Sequence, residues 1–237
     1  MPGCGNCDAS VEAGQRYCPS CGQRAPTHRL TLHEVGHEFL HALVHVDRSV
    51  LALVRGLLLR PGHVARDYVA GRRRRYYGPF GFLVVVVALA SAGIALTGFS
   101  VVTSSTPNRV GDFLQAHANL LFLLQAPFLA LACRLLALRG RYNVAEYGVL
   151  ACYTSGMHVL FYALVVIPAW VLVRGHAGWL PWLYGAYLPL WPLYFGMASA
   201  QFHGGSRWRW FGAGVLAVVL VFLFTQLLAD AMTRLFA

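Results

Sequence analysis

The sequence predicts an all-α integral membrane protein: about five transmembrane helices, preceded by an N-terminal zinc ribbon and amphipathic surface helices. Three observations predict it. Charged residues make up 12% of the 237 residues and hydrophobic residues 57%, whereas a soluble domain carries about 25% charged residues. Uncharged runs recur from residue 79 onward, each near the ~20 residues that a spanning helix needs. Four of the six cysteines stand as two CxxC pairs within the first 21 residues. The chain divides accordingly into residues 1–29, a ribbon; 30–78, interfacial helices and a basic juxtamembrane segment; and 79–237, a helical bundle.

Residues 1–29 are rich in Gly, Pro and Cys and nearly free of aliphatic side chains. Such a segment cannot build a core, so something other than burial must order it. Cys4-Gly-Asn-Cys7 and Cys18-Pro-Ser-Cys21 are separated by ten residues. Each pair turns two thiolates toward one point, and four thiolates at about 2.3 Å make the closed tetrahedral site of structural zinc. Disulfides or a redox CxxC are the competing readings. A cytoplasmic N-terminus, where thiols stay reduced, argues against them. A closed site leaves no position for a substrate, so one zinc ion would fold the ribbon, and the ribbon would serve to contact a cytoplasmic protein partner. Cys133 and Cys152 fall in apolar segments and read as small core or lipid-facing residues. The first 29 residues hold no apolar h-region, so no secretory signal peptide is expected.

Between residues 30 and 46, Leu30, Leu32, Val35, Phe39, Leu43 and Val46 recur at helical spacing. Interleaved with them, His33, His37, His41 and His45 lie four apart along one stripe. Two overlapping HExxH strings result, with Glu34 and Glu38 as candidate general bases and His33, His37 and His41 as candidate ligands of a second metal. On a helix that string sets two imidazoles on one metal beside a carboxylate, which is metallohydrolase chemistry. No third ligand is fixed by the sequence, and a polar face of an interfacial helix has the same pattern. Residues 49–59 form an apolar run of half-bilayer length containing Arg55. It is too short to span and reads as lying at the membrane surface or packed on the bundle. Pro61-Gly62 breaks the chain.

All 19 basic residues are arginine, and the net charge is +10. Eleven arginines precede residue 79, and four of them, Arg72, Arg73, Arg74 and Arg75, are consecutive. A nucleic-acid binder could show such an excess, but a basic stretch followed by Tyr76, Tyr77 and an apolar run is the positive-inside anchor, so no nucleic acid is expected. Guanidinium groups there suit anionic lipid headgroups of the bilayer.

Three features together resemble a family of uncharacterised bacterial membrane proteins described only as a domain of unknown function. They are Cys21-Gly22-Gln23 closing the ribbon, the Asp47-Arg48 pair, and Arg60-Pro61-Gly62 running through Tyr68, Gly71 and Arg72 to Pro79-Phe80. The resemblance covers residues 4–85 and implies an architecture in the bacterial inner membrane, with no activity attached.

The apolar segments are about Pro79–Val102, Asn119–Leu138, Ala145–Val173, Leu180–Ala200 (broken by Pro181, Pro189 and Pro192) and Phe211–Phe236. Arginine counts in the successive connections alternate rich and poor, which fits five spans with the N-terminus in the cytoplasm. Ionisable residues at depth mark function. Here they are few: His158, Glu146 at the start of its segment, and Asp230. Helix-to-helix hydrogen bonds are the favoured account of such residues. The leading expectation is a non-enzymatic inner-membrane anchor or scaffold whose ribbon and surface helices recruit a partner. The alternatives are a zinc metallohydrolase built on the HExxH strings and a lipid or small-solute transporter with its path along the proline-broken fourth segment.

Overall fold

A computed structural model describes residues 3–12, 14–25, 29–31, 49–100, 109–137, 141–173, 182, 185 and 187–236. Among them there is no strand beyond two isolated bridges in the ribbon, Gly3 with Ser10 and Tyr17 with Arg24. Everything else with regular structure is helical.

Helices α1 (Ser49–Leu59) and α2 (Pro61–Val69) precede the first long helix. Pro61 does not end the helical region. It occupies the first turn of α2, where its missing N–H would have had no helical partner. Both helices pack on the bundle rather than lying apart from it. Leu53 and Leu57 of α1 and Val64, Ala65 and Tyr68 of α2 are buried. A short 3-10 turn, Arg73–Arg75, then leads to α3 (Pro79–Thr97), again opened by a proline at its first turn. Next come α4 (Arg109–Ala116), α5 (Ala118–Leu136), α6 (Val144–Val173), α7 (Leu190–His203) and α8 (Arg207–Phe236).

Four helices are long and apolar enough to cross a membrane: α3, α5, α6 and α8. Large side chains such as Leu96, Leu135, Leu164 and Leu227 stand exposed on their outer surfaces. That face is unsuited to water and suited to lipid. The fourth expected segment, Leu180–Ala200, takes a different form. Its described helix, α7, has 14 residues, about 21 Å of rise. Pro189 stands at its N-cap and Pro192 in its first turn, where prolines are tolerated.

Helix α6 is the centre of the bundle. Its first half is buried on every side: Tyr147, Val149, Leu150, Ala151, Tyr153, Thr154 and Ser155 are all shielded. Its backbone follows a π-type turn over Tyr162–Val166, just before Pro168. Pro168 lacks an N–H and crowds the preceding turn, and local π geometry absorbs the misfit. Small residues set the closest helix approaches. A Cβ on Gly214 of α8 would lie 2.7 Å from the Ser199 Cβ and 3.0 Å from the Gly196 Cα of α7. Close backbone approach through small residues is how helices associate in lipid. Hydrogen bonds then define one end of the bundle. Tyr153 donates to the Tyr77 carbonyl at 2.7 Å, Tyr142 donates to the Phe202 carbonyl at 3.3 Å, and Tyr147 Oη lies 2.9 Å from His203 Nε2. At the opposite end, Phe99 packs edge-on against Tyr162 and Trp170.

Candidate metal centre and its seat on the bundle

The ribbon is two copies of one backbone turn. In the first, Cys4 N–H donates to Ala9 O at 2.8 Å and Asp8 N–H to Cys4 O at 2.9 Å. In the second, Cys18 N–H donates to Gln23 O at 2.8 Å and Gly22 N–H to Cys18 O at 2.9 Å. Each turn ends on a left-handed residue, Asp8 at φ 59° and Gly22 at φ 69°. Glycine enters that region freely, and aspartate is among the few side chains that tolerate it.

The two turns bring the four thiols together. Cys4 Sγ lies 3.6 Å from Cys21 Sγ and Cys7 Sγ 3.7 Å from Cys18 Sγ. All four Sγ atoms fall within 4.8 Å of one another. The edge of a sulfur tetrahedron around zinc, with bonds of about 2.3 Å, is about 3.8 Å. The cysteines are free thiols, and their spacing is that of ligands around one ion. The donors differ in how readily they ionise: the backbone N–H of Ala9 pulls the Cys7 thiol down, but burial and the neighbouring thiols together push it up to about 11, while two of the others are lowered. The Cys21 thiol is pulled down to about 6, first by the backbone N–H of Gln23. The Cys18 thiol is also lowered, first by the backbone N–H of Cys21. Hydrogen bonds to sulfur favour the thiolate, which is the form that binds metal. Four soft thiolates suit zinc or iron, and Cys4, Cys7, Cys18 and Cys21 would hold the ion. Among the described residues, theirs is the group of His, Cys, Asp and Glu side chains close enough to do so.

The ribbon is fixed to the bundle at two places. The first is the corner after α2. Gly71 adopts φ 104°, which leaves its carbonyl free to accept from the Gln23 side-chain amide. Gln23 Oε1 accepts in turn from Arg74 N–H at 3.3 Å, and Arg74 Nε donates to Cys21 O at 3.2 Å. Gln23 is buried by these contacts. The Cys21-Gly22-Gln23 string and the Gly71–Arg74 string are therefore two halves of one joint.

The second place is the start of α6. Asn143 caps it, accepting from Glu146 N–H at 2.9 Å, while Glu146 Oε2 accepts from Asn143 N–H at 2.7 Å. This reciprocal pair is a capping box. The buried Glu146 also accepts from two of the three guanidinium nitrogens of Arg29, Nε and Nη2, at 2.9 Å each. Arg29 Nη2 further donates to Arg141 O at 2.8 Å, and Asn143 Nδ2 donates to Leu30 O at 3.1 Å. Planar two-point pairing of this kind fixes direction as well as distance.

The consecutive arginines divide their tasks. Arg72 faces Asp67 at 3.4 Å, Arg74 turns to the ribbon, and the Arg75 guanidinium lies 5.8 Å from the Tyr76 ring centroid. Tyr76 donates to Asp67 Oδ2 at 3.1 Å. His158 stacks on Trp191, with centroids 4.4 Å apart, and on Tyr187 at 5.5 Å. Asp230 is exposed. The histidine ladder, His33, His37, His41 and His45 with Glu34 and Glu38, lies outside the described residues, as does the Asp47-Arg48 pair.

In the sequence, Glu146 stands as an ionisable residue at a span start and Arg29 as positive charge alone. Asn143 followed three residues later by Glu146 was the available signal for the cap. Nothing local to either side chain signals the pairing of Glu146 with Arg29.

One family model, described as a protein of unknown function (DUF3667), matches residues 47–90. The matched stretch contains α1, α2, the Gly71 corner, the arginine turn and the first part of α3. The expected relation to an uncharacterised domain family is therefore supported over that stretch, while the cysteines lie outside it. No curated protein and no solved structure matches the chain.

Proposed function

We propose that this chain is a non-enzymatic scaffold of the bacterial inner membrane, whose zinc-bound ribbon presents a fixed surface to a cytoplasmic protein partner. The observation that carries this reading is the mounting of the ribbon. Gln23, Arg74 and the Arg29–Glu146 pair hold its inner side to the bundle. Its outer edge is open: Arg16, Tyr17 and Arg24 are exposed, Tyr17 by 63%. Tyrosine and arginine are the side chains most enriched where proteins bind one another. A closed four-thiolate site adds no chemistry of its own, so its contribution is a folded, correctly placed surface.

The membrane part of the reading has five spans, with α7 falling in the fourth apolar segment of the sequence. It sets the ribbon end in the cytoplasm. The far connections and the C-terminus carry only Arg109, Arg174 and Arg234, and the remaining arginines fall on the ribbon side. That asymmetry is the orientation signal of inner-membrane proteins. The exposed Arg75 suits an anionic headgroup at that level.

In-cell photo-crosslinking from Ser20, an exposed position beside the metal turn, tests the recruitment. A discrete protein adduct is expected, and Tyr17→Ala combined with Arg24→Ala should remove it at unchanged metal content. An adduct pattern insensitive to those substitutions would overturn the proposal.

A further inference from the structure

Between the ribbon, α2 and the start of α6 lies a cleft of about 560 Å³. Four arginines line it, Arg29, Arg66, Arg72 and Arg141, together with Asp67 and Glu146. The charges do not cancel. Arg29 is committed to Glu146 at 2.9 Å and Arg72 pairs with Asp67 at 3.4 Å. The guanidinium groups of Arg66 and Arg141 make no hydrogen bond or ion pair among the described residues. Two uncompensated cations thus line one concavity, one on α2 and the other just before α6.

A lone surface arginine is ordinarily a solvated charge. Two that share a hollow, with both acids in it already paired, form a receptor for an anion. Guanidinium groups bind phosphate oxygens in pairs, and two such groups match the charge of a phosphate monoester better than that of a single carboxylate. Tyr142, Ala70 and Gly5 also line the walls. The cleft sits at the end of the bundle where α3 and α6 begin, the level at which headgroups lie around spanning helices. Its volume accommodates a phosphate with a small group attached.

We propose that this cleft is a phosphate-binding site, with Arg66 and Arg141 as its ligands. The phosphate is carried either by an anionic phospholipid headgroup or by a soluble phosphorylated small molecule. The site is independent of recruitment by the ribbon, since none of its free cations belongs to the exposed ribbon edge.

The test uses the full-length protein in maltoside detergent, which contains no phosphate. One arm adds phosphatidic acid and reads retained lipid by native mass spectrometry. The other titrates glycerol phosphate and reads heat of binding. Retention of phosphatidic acid without a response to glycerol phosphate identifies the lipid source, and the reverse identifies the soluble one. In whichever arm binds, Arg66→Gln with Arg141→Gln should weaken affinity about tenfold or more. Arg141→Gln alone should weaken it measurably, and this exposed side chain has no hydrogen-bond or ion-pair partner among the described residues, so their packing does not depend on it. Arg207→Gln, an exposed arginine at the same end but outside the cleft, should leave affinity unchanged. Three results would overturn the proposal: neither probe binds the wild-type protein, the paired substitution binds normally, or Arg207→Gln loses as much.

Discussion

Gly62→Ala should destabilise the protein far more than its size suggests. Gly62 stands in the first turn of α2, against α7. A Cβ there would lie 2.0 Å from the Ala198 carbonyl oxygen, 2.6 Å from the Gln201 Cβ and 2.6 Å from the Phe202 nitrogen. Ordinary contact is about 3.5 Å, so the helices must part by more than about 1 Å. Two of the three obstructing atoms are backbone and cannot swing aside. Helix α1, just before α2, is also tied to α7, since Tyr194 donates to Leu57 O at 2.9 Å. Overpacking of this kind costs about 1–3 kcal/mol. Parting the helices also strains the Gly62 N–H bond to Gln201 Oε1, at 3.1 Å in the native state, for about 1 kcal/mol more. The gain in helix propensity from alanine returns up to about 1 kcal/mol. A net loss near ~2 kcal/mol should lower the thermal midpoint by about 4–8 °C in a chain of this length. The assay is thermal unfolding in detergent, followed by tryptophan fluorescence. The comparison variant is Gly148→Ala in α6, where nothing lies within 4 Å of the new Cβ. It should melt at or above the wild-type temperature. If the two variants melt within about 2 °C of each other, the close approach of α2 to α7 is not the constraint described.

Metal analysis of the purified chain should give one zinc ion, lost altogether in Cys4→Ser with Cys7→Ser. A second ion surviving that substitution would assign metal to the histidine ladder instead. Acidification should weaken the bound ion as protons compete for the four thiolates, so metal release measured against pH should rise monotonically below neutrality. Arg29→Ala strands the buried Glu146 carboxylate, whereas Arg29→Ala with Glu146→Gln removes the charge as well. Limited proteolysis near residue 30 should therefore be faster in the single variant than in the double, and equal rates would argue against a coupled pair.

Much of the framework is legible in the residues. The helix starting at Pro79 is announced by Gly78-Pro79 before an apolar run, because proline at a first helical position forfeits no hydrogen bond. The paired CxxC strings announce the thiol cluster, since the turn is local and repeats. Other features depend on contacts that no local pattern encodes. Leu53 and Leu57 form an apolar stripe that would suit lipid or protein equally, and only the packing of α1 on the bundle shows which it meets. Hydropathy over Leu180–Ala200 overlooks where Pro189 starts the helix. Gln23 looks like any surface glutamine, because its partner is a backbone carbonyl exposed by the left-handed Gly71. Glu146 reads as a charge at a helix start, while its partner lies 117 residues earlier.

The joint between Gln23 and the Gly71 corner also has a consequence in time. Gln23 leaves the ribosome 48 residues before its partner, and Arg29 leaves 117 residues before Glu146. The four thiols come from residues 4–21 alone and would be able to take up an ion at once, but the ribbon cannot be seated until the start of the third long helix has been made. Folding of the thiol cluster can therefore precede docking, and a docked ribbon requires that α2, its Gly71 corner and the start of α6 are already in place. The two events would share one free-energy cycle: where docking favours the metal-bound ribbon, whatever steadies the helical end would tighten the hold on an ion by the same factor.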